Sequence, residues 1–590
     1  MRGRVLAVVC FFILVIITTY PLVFQMHSSI PGFFSTDESY AVLWDSWNTK
    51  FSVTHGLPLK ESSFLAFPFG KVFIGNIFSP VFFALSFILA VFFAPVLSYN
   101  LPVILNIFLN AFFVYLLINR ISNNRFAGFF GGVIFGFCPY FFVRSWQHLG
   151  ETYLWPMPLY LWSIFRLRER GFSTQVIYVL SAVLLTVNYN VTYYTLIIFS
   201  TFLPYLIFKE GVKNNIEYIK KIIYLSLIAA LFLIPQFIPE IKALFSPSSR
   251  GLASAHNILF RPFVDLFAQS ARPLSYLLPS IVHPLFGRFT EQFIGSALYG
   301  ISVTEHTLYL GWVPIILAAF AIRKFMYHRH TKLADSGLKE ANFYLGFFTL
   351  LMVVAWFFSQ PPWWQIGSVK IYMPSFFMYK IMPMFRAYCR FGIVVMLVVA
   401  VLAGFGLKFM LERFKSKRTK ITITALCCGL VLFEFWNWPP YKVIDVSKAP
   451  AVYYWLKGQP ADTVIAEYPL DLVGPNELHK LYQTTHEKRM INGAVPGTPA
   501  HENLKTLADL SLPQTAAALR RMGVRYVLVH RSDYLKTELV EEIRQLEKIP
   551  LNRGLKFVRS FPEQECPDKR IRCIAESGPV DVYEVLDEKS

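Results

Sequence analysis

Apolar stretches long enough to cross a lipid bilayer recur along this chain as far as about residue 438. Segments such as Val5–Val23 and Phe391–Leu407 approach a hydrocarbon core of ~30 Å at a helical rise of about 1.5 Å per residue. The pattern predicts a polytopic α-helical membrane protein. Composition agrees: 55% of the 590 residues are hydrophobic and 16% are charged, with a mean hydropathy of +0.45. That is more apolar surface than a soluble protein of this size needs.

A formal net charge of +19 would suit a nucleic-acid binder, but its placement excludes that reading. Lys and Arg gather in short loops between apolar segments, at Arg120–Arg125, Arg166–Gly171, Lys209–Lys221, Arg323–Glu340 and Lys408–Lys420. Such loops are expected on the cytoplasmic side. The first segment follows Met1-Arg2-Gly3-Arg4 without a small-residue cleavage site and reads as a retained span.

Placing the N-terminus and all five basic loops on one side requires an even number of crossings between consecutive loops. Segments 126–143 and 153–165, 174–189 and 191–208, 222–238 and 305–322, and 343–358 and 391–407 meet this condition. Segments 5–23 and 101–118 cross before the first basic loop, and 76–95, with Pro80 inside and Pro95 after it, lies in or re-enters the outer interface. The alternative, in which 76–95 crosses, requires another segment to fail. A last span near 421–437 exports the C-terminus. The expectation is about eleven spans, a membrane domain over 1–438, and an extracytoplasmic α/β domain over 439–590 in the cytoplasmic (plasma) membrane's outer space.

Three outer loops follow, at about 25–75, 239–305 and 360–390. The first two are rich in aromatic and apolar residues and are expected to pack on the outer face around a cavity. In the tail, β-rich runs at Thr463–Tyr468, Val524–His530, Leu555–Val558 and Val580–Val585 alternate with helical patterns near 448–457, 514–522 and 535–547. The tail has no phosphate loop and no metal-spaced Cys/His cluster, so it is expected to cap the cavity or bind a partner. Cys566 and Cys573 form a disulfide if the tail is extracytoplasmic; the five other cysteines lie in or beside apolar segments as packing residues.

The first outer loop carries Ser35-Thr36-Asp37-Glu38-Ser39-Tyr40, then Asp45, then His55-Gly56-Leu57-Pro58. Carboxylates close to a membrane surface need a cation, a donor or a catalytic task. Asp37 would serve either as a base toward a hydroxyl or a metal ligand, or as the N-cap of a helix beginning at Glu38. Arg144, His148 and Glu151 fall at i, i+4 and i+7 and share a face if helical; they either bind substrate or metal, or form an interfacial Arg144–Glu151 ion pair.

The acidic pair followed by Tyr40, just after the first span, resembles the GT-C glycosyltransferases. Protein mannosyltransferases and lipid A aminoarabinose transferases show similar stretches, and bacterial YfhO-like proteins are more similar still. That similarity runs in order through Pro68-Phe69-Gly70, Ser98-Tyr99-Asn100, Phe137-Cys138-Pro139-Tyr140, His148-Leu149-Gly150, Tyr276-Leu277-Leu278-Pro279, Tyr309-Leu310-Gly311 and Phe385-Arg386-Ala387-Tyr388-Cys389-Arg390-Phe391. The resemblance implies an inverting enzyme that transfers sugar from a polyprenyl-phosphate donor to an envelope glycan, lipid or protein. It also implies Asp37 as base or metal-associated carboxylate, Glu38 in support, and a second polar position at His148 or Glu151. A divalent metal accompanies some members of the superfamily and not others.

A lipid phosphate needs cations near the outer surface. Arg250, Arg261, Arg272, Arg288, Arg386 and Arg390 are the candidates, with Arg386 and Arg390 favoured because i, i+4 spacing aims both one way. Head-group snorkelling is the competing role. Asp265 and His283 receive no role, Glu305-His306 reads as an interfacial anchor, and the Asn190-Val191-Thr192 sequon lies in a turn between spans. The rival function is a non-catalytic transporter or scaffold for lipid-linked polysaccharide. A transporter should carry ionisable residues midway along its spans, and Glu434 is the main one.

Overall fold

The computed structural model describes residues 2–586 apart from 33–36, 60, 74–78, 170, 245–260, 332–335, 382, 384, 438–440, 473–475 and 537–539. Ser35, Thr36, Arg250 and the expected boundary at 438/439 therefore lie outside the described residues. Five described helices are long and apolar enough to cross a membrane: Pro95–Ser122, Arg125–Arg144, Tyr189–Glu210, Glu340–Ser359 and Tyr388–Leu411. Shorter apolar helices run over Gly3–Thr18, Pro80–Phe92 and Phe172–Val187.

The expected eleven spans are thus not reproduced by length and composition. Segment 153–165 yields a helix of 11 residues, Pro156–Arg166, only about 16 Å long. Pro80 does not interrupt a helix: it starts one, and Pro95 starts the next. Each occupies the first turn, where the missing N–H costs nothing.

Two of the most apolar helices face protein. Arg125–Arg144 and Tyr388–Leu411 are each 89% buried over their most apolar window, so their apolar faces pack the bundle core. Close packing depends on glycine: a Cβ on Gly132 would lie 2.7 Å from the Ala111 carbonyl oxygen, and one on Gly136 would lie 2.4 Å from the Ala111 Cβ. This is the small-residue contact by which membrane helices approach one another.

All five basic loops meet at one end of the bundle. Arg120 pairs with Glu169 at 2.9 Å, Arg168 with Glu210 at 2.7 Å, and Lys324 with Glu412 at 3.5 Å. A cavity of about 780 Å³ is lined by Arg120, Arg168, Lys209 and Glu340 from four of these loops. The 28-residue helix Pro95–Ser122 runs from Arg120 at this end to Tyr99 about 30 Å away. Tyr99 belongs to the opposite end, where the outer loops gather.

Residues beyond 440 form a five-stranded sheet in the order Leu555–Phe561, Val580–Val585, Val524–His530, Val464–Tyr468 and Arg489–Met490. The first two pairings are antiparallel and the last two parallel. Strands Val524–His530 and Val580–Val585 match the sequence reading. Helix Glu477–His486 lies outside the helical patterns read from the sequence. Cys566 and Cys573 are joined by a disulfide.

The C-terminal region grips the first outer loop. Ser29–Pro31 pairs antiparallel with Val443–Asp445, and Arg572–Cys573 adds a parallel third strand. Trp44 Nε1 donates to Gln483 Oε1 at 2.8 Å, and Gln483 Nε2 donates to the Phe64 carbonyl at 2.7 Å. Asp45 and Lys71 are half-buried near this contact. Burial raises the Asp45 carboxyl against the pull of Lys480 and Lys71, and burial with Lys480 brings the Lys71 ammonium down to about 8.

Glu434 has a local job. Its carboxylate accepts from Trp312 N at 3.1 Å and Val313 N at 3.2 Å, capping helix Trp312–Thr331. Glu434→Ala is expected to cost about 1 kcal/mol, as loss of an N-cap does, read as a lower thermal midpoint in detergent. An unchanged midpoint would deny the cap.

Candidate active site at the outer end of the bundle

Helix Asp37–His55 begins with both acids in its first turn, where they favour the positive end of the helix dipole. Asp37 and Glu38 are exposed, whereas Ser39 and Tyr40 are buried. Ser39 Oγ bonds Tyr99 Oη at 2.8 Å and donates to the Trp146 carbonyl at 2.8 Å. Tyr99 Oη also donates to the Ser145 carbonyl at 2.8 Å. These bonds pin the acidic turn against residues 145–148.

Across that junction, Nδ1 of His148 meets Oε2 of Glu38. The opposite ring nitrogen, Nε2, lies 3.7 Å from Glu305 Oε1. Glu305 is the hub of the buried charges. Arg144 donates to it bidentately, Nη1 to Oε1 at 3.0 Å and Nη2 to Oε2 at 2.7 Å. Arg390 donates from Nε to Oε2 at 3.0 Å and from Nη2 to Oε1 at 2.6 Å. Its Nη1 reaches Glu151 Oε1 at 2.9 Å.

Two guanidiniums thus balance two carboxylates, as buried charges require. Arg144 and Arg390 together supply four hydrogen bonds to the Glu305 carboxylate. Glu151 also accepts from Asn190 Nδ2 and, at 3.3 Å, from Asn188 Nδ2. Asn190 is fully buried, so the sequon offers no accessible acceptor.

Several sequence expectations are corrected here. Arg144, His148 and Glu151 do not share one helix, because helix Pro139–Arg144 stops and a 3-10 turn forms at Leu149–Thr152. They still converge, through separate partners, and Arg144 pairs with Glu305 in place of Glu151. Arg386 and Arg390 do not aim the same way. Ala387 has a non-helical backbone and only the 3-10 turn Tyr388–Phe391 follows, so Arg386 pairs with Asp265 at 3.2 Å. Arg390 is spent on the buried network.

Glu305 itself was read as an interfacial anchor. Its only sequence signal was its place four residues before Tyr309-Leu310-Gly311, one of the stretches in the YfhO-like series. His283 is structural, Nε2 bonding the Phe433 carbonyl at 2.9 Å.

An apolar groove of about 750 Å³ is lined by Ile315, Met352, Trp356, Trp364, Val395 and Val399, with Arg272 among the lining residues. His306, next to Glu305, bonds the Ser270 carbonyl at 3.0 Å through Nε2, which ties Arg272's loop to the hub. The half-buried Arg272 donates Nη2 to the Phe267 carbonyl at 2.7 Å, while its Nε has no hydrogen-bond partner. Burial pulls this guanidinium below its ordinary value, so an arriving anion would be stabilised there.

Among the described residues, no trio of His, Cys, Asp or Glu converges at Asp37 with metal-ligand geometry. Glu305 and Glu151 are already committed to arginines. Among the described residues this donor set does not make a three-ligand metal site.

No family model matches the chain, and no curated protein matches it. Its fold is similar to that of a solved membrane-protein structure. The arabinofuranosyltransferase AftD from Mycobacteria overlaps 100% of this chain with a TM-score of 0.54 at 13% identity. The chain spans only 40% of AftD's length. The oligosaccharyltransferase AglB from Archaeoglobus fulgidus overlaps 94% of this chain and 72% of its own at 12% identity, with a TM-score of 0.48. At 13% identity the AftD likeness shows the fold and leaves activity to the site.

Proposed function

We propose that this chain is a GT-C membrane glycosyltransferase, related to the YfhO-like proteins, that moves a sugar from a polyprenyl-phosphate donor to an envelope acceptor. In this reading residues 439–590 lie outside the plasma membrane. The observation that carries it is the exposed Asp37–Glu38 turn, fixed by His148 to a neutralised buried network, in a chain that also holds an apolar groove containing Arg272. The groove suits a polyprenyl chain, and Arg272, with Arg261 and Arg386 nearby in the outer loops, suits its phosphate.

Asp37 takes the proton of the acceptor hydroxyl as that oxygen attacks the anomeric carbon. The carbon–phosphate oxygen bond breaks, the lipid phosphate leaves with the bonding electrons, and configuration inverts. Glu38 and His148 orient the turn. Glu434's capping role leaves the transporter alternative without its principal intramembrane charge.

The test is transfer of radiolabelled sugar in membranes expressing the chain, supplied with a pool of polyprenyl-phosphate sugars. Labelled product absent from control membranes is expected. No transfer from an adequate donor pool would overturn the enzyme reading in favour of a transporter or scaffold.

A further inference from the structure

Far along the chain from the acidic turn, three ionisable side chains meet inside the C-terminal sheet. Glu467 lies on strand Val464–Tyr468 and His530 ends the neighbouring strand Val524–His530. Glu467 stands opposite Leu528, and the two-residue alternation of a strand puts His530 on the same face. His479 comes down onto that face from helix Glu477–His486.

Glu467 is fully buried, and His479 and His530 are nearly so. His530 Nε2 lies 2.8 Å from Glu467 Oε2, and His479 Nδ1 lies 3.6 Å from the same oxygen. The three donor atoms lie within 4.8 Å of one another. Tetrahedral zinc, with bonds of about 2.0–2.1 Å, sets its ligand atoms about 3.3 Å apart. Separations of 2.8 and 3.6 Å bracket that value.

Two further observations point to a ligand. Oε1 of the fully buried Glu467 accepts no hydrogen bond, although Tyr453 Oη donates to Oε2 at 2.8 Å. An acceptor left so is costly without a partner. On the far side of His479, Nε2 lies 3.7 Å from Asp533 Oδ2. A carboxylate behind the second ring nitrogen is the usual support of a metal-bound imidazole, since it directs the lone pair of the first toward the ion.

We propose that Glu467, His479 and His530 bind one divalent transition-metal ion of the zinc class. Two imidazoles and one carboxylate select zinc, cobalt or nickel over the all-oxygen cations calcium and magnesium. The ion takes the place of the proton that His530 Nε2 shares with Glu467, and binding releases protons to solvent. It ties helix Glu477–His486 to the sheet. Because Gln483 on that helix holds Trp44, the ion stiffens the support of the helix that carries Asp37 and Glu38.

The experiment uses the full chain in detergent, without a polyhistidine tag, stripped with chelator and titrated with Co²⁺. About one equivalent should bind, with visible ligand-field absorption, and Zn²⁺ should displace it and raise the thermal midpoint. His479→Gln and Glu467→Gln should each weaken binding at least about 100-fold, and Asp533→Asn about 10- to 100-fold. Wild-type chain that takes up neither ion overturns the proposal, and that result needs no variant to fold. Folded His479→Gln and Glu467→Gln chains that bind as wild type would overturn it equally.

Discussion

Asp37→Asn is expected to slow sugar transfer by about 10²- to 10⁴-fold, the usual contribution of a general base, with little change in donor KM. Asn keeps the size of the side chain and its place in the first helical turn, and removes the negative charge with the capacity to accept a proton. Both acids are exposed, and Glu38 meets His148, which gives it a part in holding the turn. Glu38→Gln should therefore cost less, through a loosened turn. The measurement is initial rate against acceptor and donor concentration in membranes with matched expression. An Asp37→Asn chain of wild-type rate would remove Asp37 from the chemistry.

Glu305→Leu is expected to destabilise the protein by about 3–5 kcal/mol, the cost of stripping one partner from a buried ion pair. Arg144 is fully buried and loses its bidentate acceptor, while Arg390 keeps Glu151 at 2.9 Å. Adding Arg144→Met should recover most of the loss, since a buried pair replaced by apolar groups of similar size is close to neutral. Transfer should stay low in the double variant, because His148 then lacks the carboxylate behind it. Thermal inactivation in detergent, followed by size exclusion, reads the first effect, and the transfer assay reads the second. A Glu305→Leu chain as stable as wild type would show that the network carries no such energy.

How legible the site was depends on how local each part is. Asp37 and Glu38 stood out because an acidic pair just after a span is anomalous within a few residues. Arg386 and Arg390 misled because their spacing implies a common direction only on a helix, and the backbone at Ala387 is not helical. Glu305 was passed over because its two arginines lie 161 and 85 residues away, at distances where spacing carries no register. The Glu467, His479 and His530 trio escaped for the same reason: a sheet pairing and a helix crossing bring it together.

The sequence by itself determined the membrane character, the five basic loops that meet at one end, the α/β alternation of the tail, and the acidic turn. Each is a property of composition or period within one segment, set by hydrophobicity, charge and backbone propensity. Only the tertiary structure decided which charges neutralise one another, which apolar helices face protein, and how the tail holds the first outer loop. Those follow from the burial of ionised and apolar groups across long separations, where the energy of pairing depends on position in space.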